Sequence, residues 1–336
     1  MDRKILQAGL EKVKPGLSKS EVIEQATSFA FMGDRVVTYN DEISISHPVE
    51  GMDLRGAVRA EELYQLLNKL KQDEIEIEVT DSELVITSGK VQAGLAFQAE
   101  ITLPLDEVGA IGDWKKVPEG FCDAVKFVIP TASNDMSKPA FTCVHICKNG
   151  VIESCDGFRV TRMIVGKVGL EDCLIPASVA KDLVKYPITE QASGEGWRHF
   201  RTEDGTVFSC RILEDQYPDI DGKGILNVTG EAVEFPKNMM EILDRAGVFA
   251  KRDHYSEEEV SVTLGNKKIV VEGKSDSGWF KEVSNIRYTG EAKSIIVHPD
   301  FLKDMLARIQ SCVIGSNSMK FEGEGWQHVV WMKVAK

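Results

Sequence analysis

The chain lacks every common phosphate-cradling or nucleophile motif. G-x-x-x-x-G-K-[ST], G-x-G-x-x-G and G-x-S-x-G are all missing, which removes the usual signatures of P-loop, dinucleotide-binding and α/β-hydrolase chemistry. Histidine is scarce: 6 residues are dispersed with no H-x-x-x-H pair, so no helical metal site of that type is encoded. The 7 cysteines, at 122, 143, 147, 155, 173, 210 and 312, contain no C-x-x-C and are odd in number, which excludes a simple disulfide or zinc framework. They read as buried thiols, including the closest trio Cys143, Cys147 and Cys155, and the expectation is no metal and no cofactor. No apolar run approaches the roughly eighteen residues of a membrane span. The opening MDRKILQAGLEKVKPG carries charge throughout and has no apolar h-region, so it reads as an amphipathic helix and not as a secretory signal. A cytoplasmic location without membrane attachment is expected.

What the chain does have is an internal repeat. VRAEELYQLL from Val58, IPASVAKDLV from Ile175 and VHPDFLKDML from Val297 align without gaps. Each opens on a β-branched residue, has Ala or Pro two positions on, and places an apolar pair at Leu66/Leu67, Leu183/Val184 or Met305/Leu306. That pattern predicts a strand running into a helix with an apolar stripe. A second set, from Ile5, Phe121 and Met239, precedes the first and recurs at 116 and 118 residues, against 117 and 122 for the other. Two markers sharing one period argue for three copies of one unit.

Between the helices lie alternating runs such as EIEIEVT, ELVITSG, VHICKNGVIES, EVSVTLGNKKIVVEG and MKFEGEGWQHVVWMKV, broken by NG, GN and SG turn signals. They predict antiparallel hairpins with one buried face. The fold class expected is α+β: three repeated domains, each with two helices packed on one side of antiparallel sheet. The divisions fall at 1–115, 116–228 and 229–336, near the Pro- and Gly-rich stretches DWKKVPEG and DGKGILNVTG.

The net charge of −13, from 53 acidic and 40 basic residues, should repel nucleic acid unless positive charge is segregated. The helical windows 2–14, 59–71, 121–138, 176–187, 237–252 and 298–308 together carry +6, which leaves −19 for the remainder. Either these are ordinary solvated helix faces, or they form a positive surface facing phosphates.

ESCDGFRVTRMIV, residues 153–165, sets Asp156 and Arg159 on a turn between two alternating runs. An enzyme reading would group Asp156, Glu153 and His145 as a metal-dependent nuclease centre. The competing reading makes Asp156 and Arg159 a turn-fixing pair and Trp331 a core residue. SGEGW and EGEGW sit in strand turns and offer no phosphate cradle.

The residues SCDGFRV, LIPASVAKDL, CRILEDQYPDI and the ending HVVWMKV, in that order on a threefold repeat, resemble the bacterial-type β sliding clamps, the processivity subunits of DNA polymerase III. Phe158 stands where that family commonly has His, and Trp331 and Met332 replace a terminal Met-Pro segment, as in a divergent, for example virus-encoded, member. The resemblance implies a DNA-clamp ring, built from a head-to-tail homodimer, that encloses double-stranded DNA without reading its sequence. It implies no catalysis, and partners in the replicative DNA polymerase, the clamp loader and other proteins carrying clamp-binding peptides. Phe141, Cys155, Gly157, Phe158, Arg159, Val160, Ile225, Val329, Trp331 and Met332 would line the peptide cleft. Arg3, Lys4, Lys12, Lys14, Lys19, Lys69, Lys71, Lys138, Lys181, Lys185, Lys251 and Arg252 would face DNA. The apolar runs Ile269–Val271 and Leu95–Phe97 are the expected dimer edges. A protein-binding repeat scaffold that encircles nothing is the alternative from another class.

Overall fold

The computed structural model describes residues 1–252 and 257–334. Among them are six α-helices: α1 Arg3–Val13, α2 Ala60–Lys69, α3 Phe121–Val128, α4 Ala177–Leu183, α5 Met239–Gly247 and α6 Pro299–Leu306. They pack in the pairs α1 with α2, α3 with α4 and α5 with α6. The second helix of each pair does follow directly from a strand, Leu54–Arg59 into α2, Cys173–Pro176 into α4 and Lys293–Val297 into α6.

Local chemistry sets the ends and faces of these helices. The Asp2 side chain accepts from the Lys4 and Ile5 amides at the start of α1, and His298 accepts from the Asp300 amide before Pro299 opens α6. On α1, Leu6, Leu10 and Val13 are buried beside Gly9, where an added Cβ would stand 2.7 Å from Val49. Of the apolar pairs in the repeat, Leu67, Leu183, Met305 and Leu306 are buried, while Leu66 and Val184 are only partly covered.

The chain forms two compact units. The first comprises 1–129, 143–150 and 165–215. Its 11-stranded antiparallel sheet runs from Glu76–Val79 through Glu83–Ser88, Val91–Gln98, Leu54–Arg59, Ser28–Gly33, Arg35–Tyr39, Ile43–Pro48, Val207–Arg211, Trp197–Thr202 and Ile188–Ser193 to Lys115–Lys116. Ile43–Pro48 pairs with Val207–Arg211, Ile45 opposite Phe208, so the sheet is continuous across the repeat division at 115/116. Trp197, Tyr39, Phe29, Phe31, Phe121, Phe200 and Phe208 fill its core. The pair Cys143–Ile146 with Cys173–Pro176 also belongs to this unit.

The second unit comprises 130–142, 151–164 and 216–336. One antiparallel array runs Val151–Cys155, Arg159–Ile164, Trp326–Trp331, Ser318–Gly323, Ser311–Ile314, Glu231–Glu234. A 5-stranded sheet runs Gly278–Asn285, Lys268–Ser275, Val260–Gly265, Lys293–Val297, Lys333–Val334, with α5 over its buried Val260, Val262, Leu264, Ile269 and Val271. Ile269–Val271 is therefore paired on both sides, and Leu95–Phe97 lies in Val91–Gln98, a strand between Glu83–Ser88, which pairs with Leu95 and Ala96, and Leu54–Arg59, whose Val58 pairs with Phe97, so neither run is on an outer strand. Glu76–Val79 and Gly278–Asn285 are among the outer strands, the latter with Trp279 71% exposed. No helix among the described residues is long and apolar enough to cross a membrane.

The Val260–Gly265/Lys268–Ser275 hairpin turns through Asn266 and Lys267, both at positive φ (53° and 59°), the geometry of a type I′ turn. A lysine is strained there, so Lys267→Gly should raise stability by about 0.5 kcal/mol in urea melts, the relief outweighing the extra freedom of the unfolded chain. His199 is fully buried with Nδ1 2.8 Å from Ser209 Oγ, and burial, aided by the Arg198 charge, pushes its pKa down to about 4. The unfolded chain then binds the extra proton first, so stability is present above about 6.5 and is lost as pH falls towards about 4. His199→Gln should flatten that part of the pH dependence of Tm.

Candidate partner-peptide cleft

The strands Val151–Cys155 and Arg159–Ile164 pair antiparallel with Cys155 opposite Val160, leaving Asp156, Gly157 and Phe158 to make the turn. Asp156 Oδ1 accepts from the amides of Phe158 (2.8 Å) and Arg159 (2.9 Å), which fixes the turn locally. Gly157 has φ +90°, a conformation that side chains other than glycine's rarely adopt.

Arg159 is 7% exposed, and its donors are spent inside the protein. Nε donates to Asp156 Oδ2 at 2.9 Å, Nη1 to Asp304 Oδ2 on α6 at 2.6 Å and Nη2 to the Pro130 carbonyl at 2.7 Å. The guanidinium also lies 4.2 Å from the centroid of the Phe301 ring. The acid and base of this turn are therefore a structural pair, as one sequence reading expected.

Side chains alternate across the strand, so Val160 and Arg162 share the opposite face. Arg162 bonds buried Glu153 through Nε (2.8 Å) and reaches Asp221 through Nη1 (2.6 Å). The second contact fastens the segment 217–228 over Cys155 and Val160. Cys155, Val160, Ile220, Leu226 and Val329 form a buried floor, and Phe141, Tyr217, Ile225, Val228 and Trp331 pack around it half-covered. Burial pushes the Cys155 thiol up to about 11, so it is no nucleophile at neutral pH. Met332 is buried, and the Trp331 amide donates to the Phe158 carbonyl at 2.8 Å, joining the C-terminal strand to the turn.

Of the ten residues expected in the cleft, Phe141, Cys155, Val160, Ile225, Val329 and Trp331 pack together in this cluster, Phe158 and Arg159 line a different cavity, and Gly157 and Met332 belong to neither. Sequence reasoning missed Tyr217, Ile220, Leu226 and Val228. For Tyr217 and Ile220 the signal was present in QYPDI, whose Pro and aromatic neighbours mark a held, non-repetitive segment. Phe158 is 49% exposed, with its ring 6.5 Å from Phe301, which in turn stacks on His298 at 4.4 Å. This aromatic row borders an open cavity of 1440 Å³ lined also by Asp135, Lys138, Asp300 and Asp304.

The helix-borne cations fall into two groups. Arg3 holds the Gln72 and Leu67 carbonyls, Lys4 pairs with Asp73 at 3.0 Å, Lys12 with Asp204 and Lys185 with Asp182 at 2.6 Å. Lys14 lies over the Tyr64 ring, Lys138 over Phe141, and Arg252 donates to the Ala250, Lys251 and Lys274 carbonyls. Lys19, Lys69, Lys71, Lys181 and Lys251 are exposed, without an ion pair among the described residues. Glu153 and Asp156, proposed for a nuclease centre, are each bound to an arginine.

Removing the Arg159 side chain would strip the largely covered Asp156 carboxylate of its counter-charge and leave it only the two turn amides. Arg159→Ala should cost about 3 kcal/mol in urea unfolding followed by tryptophan fluorescence, and Arg159→Lys, which keeps the charge but loses the fork, should cost less.

No protein-family model and no curated protein sequence matches the chain. Solved structures do. The beta subunit from DNA polymerase of Streptococcus pyogenes superposes with TM-score 0.87 at 17% identity, over 100% of this chain and 99% of that one. The DNA polymerase III subunit beta from Pseudomonas aeruginosa gives 0.86 at 14%, over 99% and 98%. A sliding clamp from the same organism bound to griselimycin gives 0.85 at 14%, with the same coverage. From end to end, the chain has the fold of the beta sliding clamps of DNA polymerase III.

Proposed function

We propose that the chain is a non-catalytic DNA sliding clamp, the processivity factor of a replicative DNA polymerase. Three modules, 1–115, 116–228 and 229–336, would build half of a ring, and a second copy docked head to tail would close it around duplex DNA. The clamp loader, the polymerase and other partners would engage the cleft through short linear peptides, and the complex would work in the cytoplasm. One observation carries the reading: a whole-chain likeness to solved clamps coincides with a buried apolar floor and half-covered rim at the turn 155–160, where Asp156, Arg159, Glu153 and Arg162 are occupied structurally.

The physics of such a clamp is topological. Phosphate contacts hold DNA without reading bases, and each adds salt-dependent affinity, so a ring that must slide needs few of them. Exposed Lys69, Lys71 and Lys181 would supply a weak, even potential while closure supplies retention. The outer strands Glu76–Val79 and Gly278–Asn285 are two sheet edges available for joining two copies, and pairing them would hide the exposed Trp279 and Val283. Local neutralisation of Lys4, Lys12 and Lys185 favours the second reading, a protein-binding scaffold without DNA.

Retention on DNA separates the two readings. Loaded protein should stay on closed circular DNA and be lost when the circle is linearised, and solution mass should be that of a dimer. Lys69→Glu with Lys71→Glu and Lys181→Glu should lower loading about tenfold. Equal retention on both DNA forms, or loading indifferent to these charges, would favour the scaffold.

A further inference from the structure

The geometry points to a divalent-metal site of the zinc class on the first unit, formed by His145, Cys147 and Asp172. Strand register brings them together. Cys143–Ile146 pairs antiparallel with Cys173–Pro176, Ile146 opposite Cys173, so one step further Asp172 stands opposite Cys147. His145 lies two residues before Cys147 and shares its face of the strand. One ligand atom from each of the three falls within 4.8 Å of the others.

A turn of the imidazole brings the separations to those of a metal site. Cys147 Sγ is 3.4 Å from both imidazole nitrogens of His145 and so lies over the ring face, and rotation of the ring would aim one nitrogen lone pair at a shared ion. Zinc bonds of about 2.3 Å to sulfur and about 2.1 Å to nitrogen, at a tetrahedral angle, would hold those atoms about 3.6 Å apart. A thiolate and a carboxylate match the charge of the dication, and imidazole with thiolate selects zinc-class ions over magnesium or calcium. The strand ends that carry Cys147 and Asp172 are held in place. The Gly150 amide donates to the Cys147 carbonyl at 3.0 Å, the Lys148 amide to Asp172 Oδ1 at 3.3 Å, and Arg198 Nη2 to the Asp172 carbonyl at 3.3 Å. The Lys148 ammonium, 4.0 Å from Asp172 Oδ2, is 78% exposed and free to turn outward.

On binding, the Cys147 S–H bond breaks, its proton goes to solvent, and the sulfur lone pair forms the metal–sulfur bond. Exposed Asp172 leaves the fourth position to water. The ion would cross-link the two strands at their open end.

The test uses the full chain, reduced and stripped by chelator, with Co²⁺ as the probe. One equivalent should bind with a thiolate-to-cobalt charge-transfer band that Zn²⁺ abolishes. Cys147→Ser should eliminate the band, and Asp172→Asn, at an exposed position, should weaken Co²⁺ binding at least about tenfold, while Cys122→Ser leaves both unchanged. Far-ultraviolet circular dichroism reports whether each variant is folded. Absence of the band, or a band that survives in folded Cys147→Ser or keeps full affinity in Asp172→Asn, would overturn the site.

Discussion

The turn at 155–160 depends on one guanidinium. Arg159 binds the turn through Asp156, the 130 segment through a backbone carbonyl, and α6 through Asp304, while its flat face rests on Phe301. These groups are distant in sequence and have no apolar reason to meet there. A planar fork of fixed donors can hold all of them at once, which an ammonium cannot. The rest of the cleft follows: with the turn fixed, Cys155 and Val160 present a stable floor, and Trp331 is tied to the turn through the Phe158 carbonyl.

The same arrangement commits the acids and bases of this segment to structure. Catalytic groups need pKa values poised near working pH and an open approach to substrate. Here Asp156 and Glu153 are each committed to an arginine, and the cysteine beneath is driven away from ionisation by burial. What stays accessible is apolar and aromatic: Phe141, Ile225 and Trp331 at the rim, and Phe158 beside the cavity. Half-covered aromatic surface over a rigid floor suits recognition of a peptide anchor.

Local patterns in the sequence disclosed much of this, and long-range pairings very little. Helix stripes, strand-to-helix junctions and hairpins such as Val260–Gly265/Lys268–Ser275 carry their signal within a dozen or so residues. The junction of Ile43–Pro48 with Val207–Arg211 carries none, so the continuity of the first unit's sheet past residue 115 was invisible. The choice of Ile269–Val271 as an edge failed for a related reason: an apolar strand buried between neighbours and one exposed at an edge read alike. Counting charges by window found the cationic helices but not Asp73 and Asp204, which lie outside those windows and neutralise Lys4 and Lys12. His145, Cys147 and Asp172 escaped because an H-x-C spacing gains meaning only on a strand, and its third member comes from another strand.

The account stands on the surface around Arg159 being a preformed recognition site. The most direct measurement is calorimetric titration of the full chain with a linear peptide bearing two consecutive apolar anchors between polar residues. Saturable one-to-one binding that Trp331→Ala weakens at least about tenfold, with the fold intact, is the predicted result. Absence of binding, or binding of equal strength in the folded Trp331→Ala chain, would contradict it.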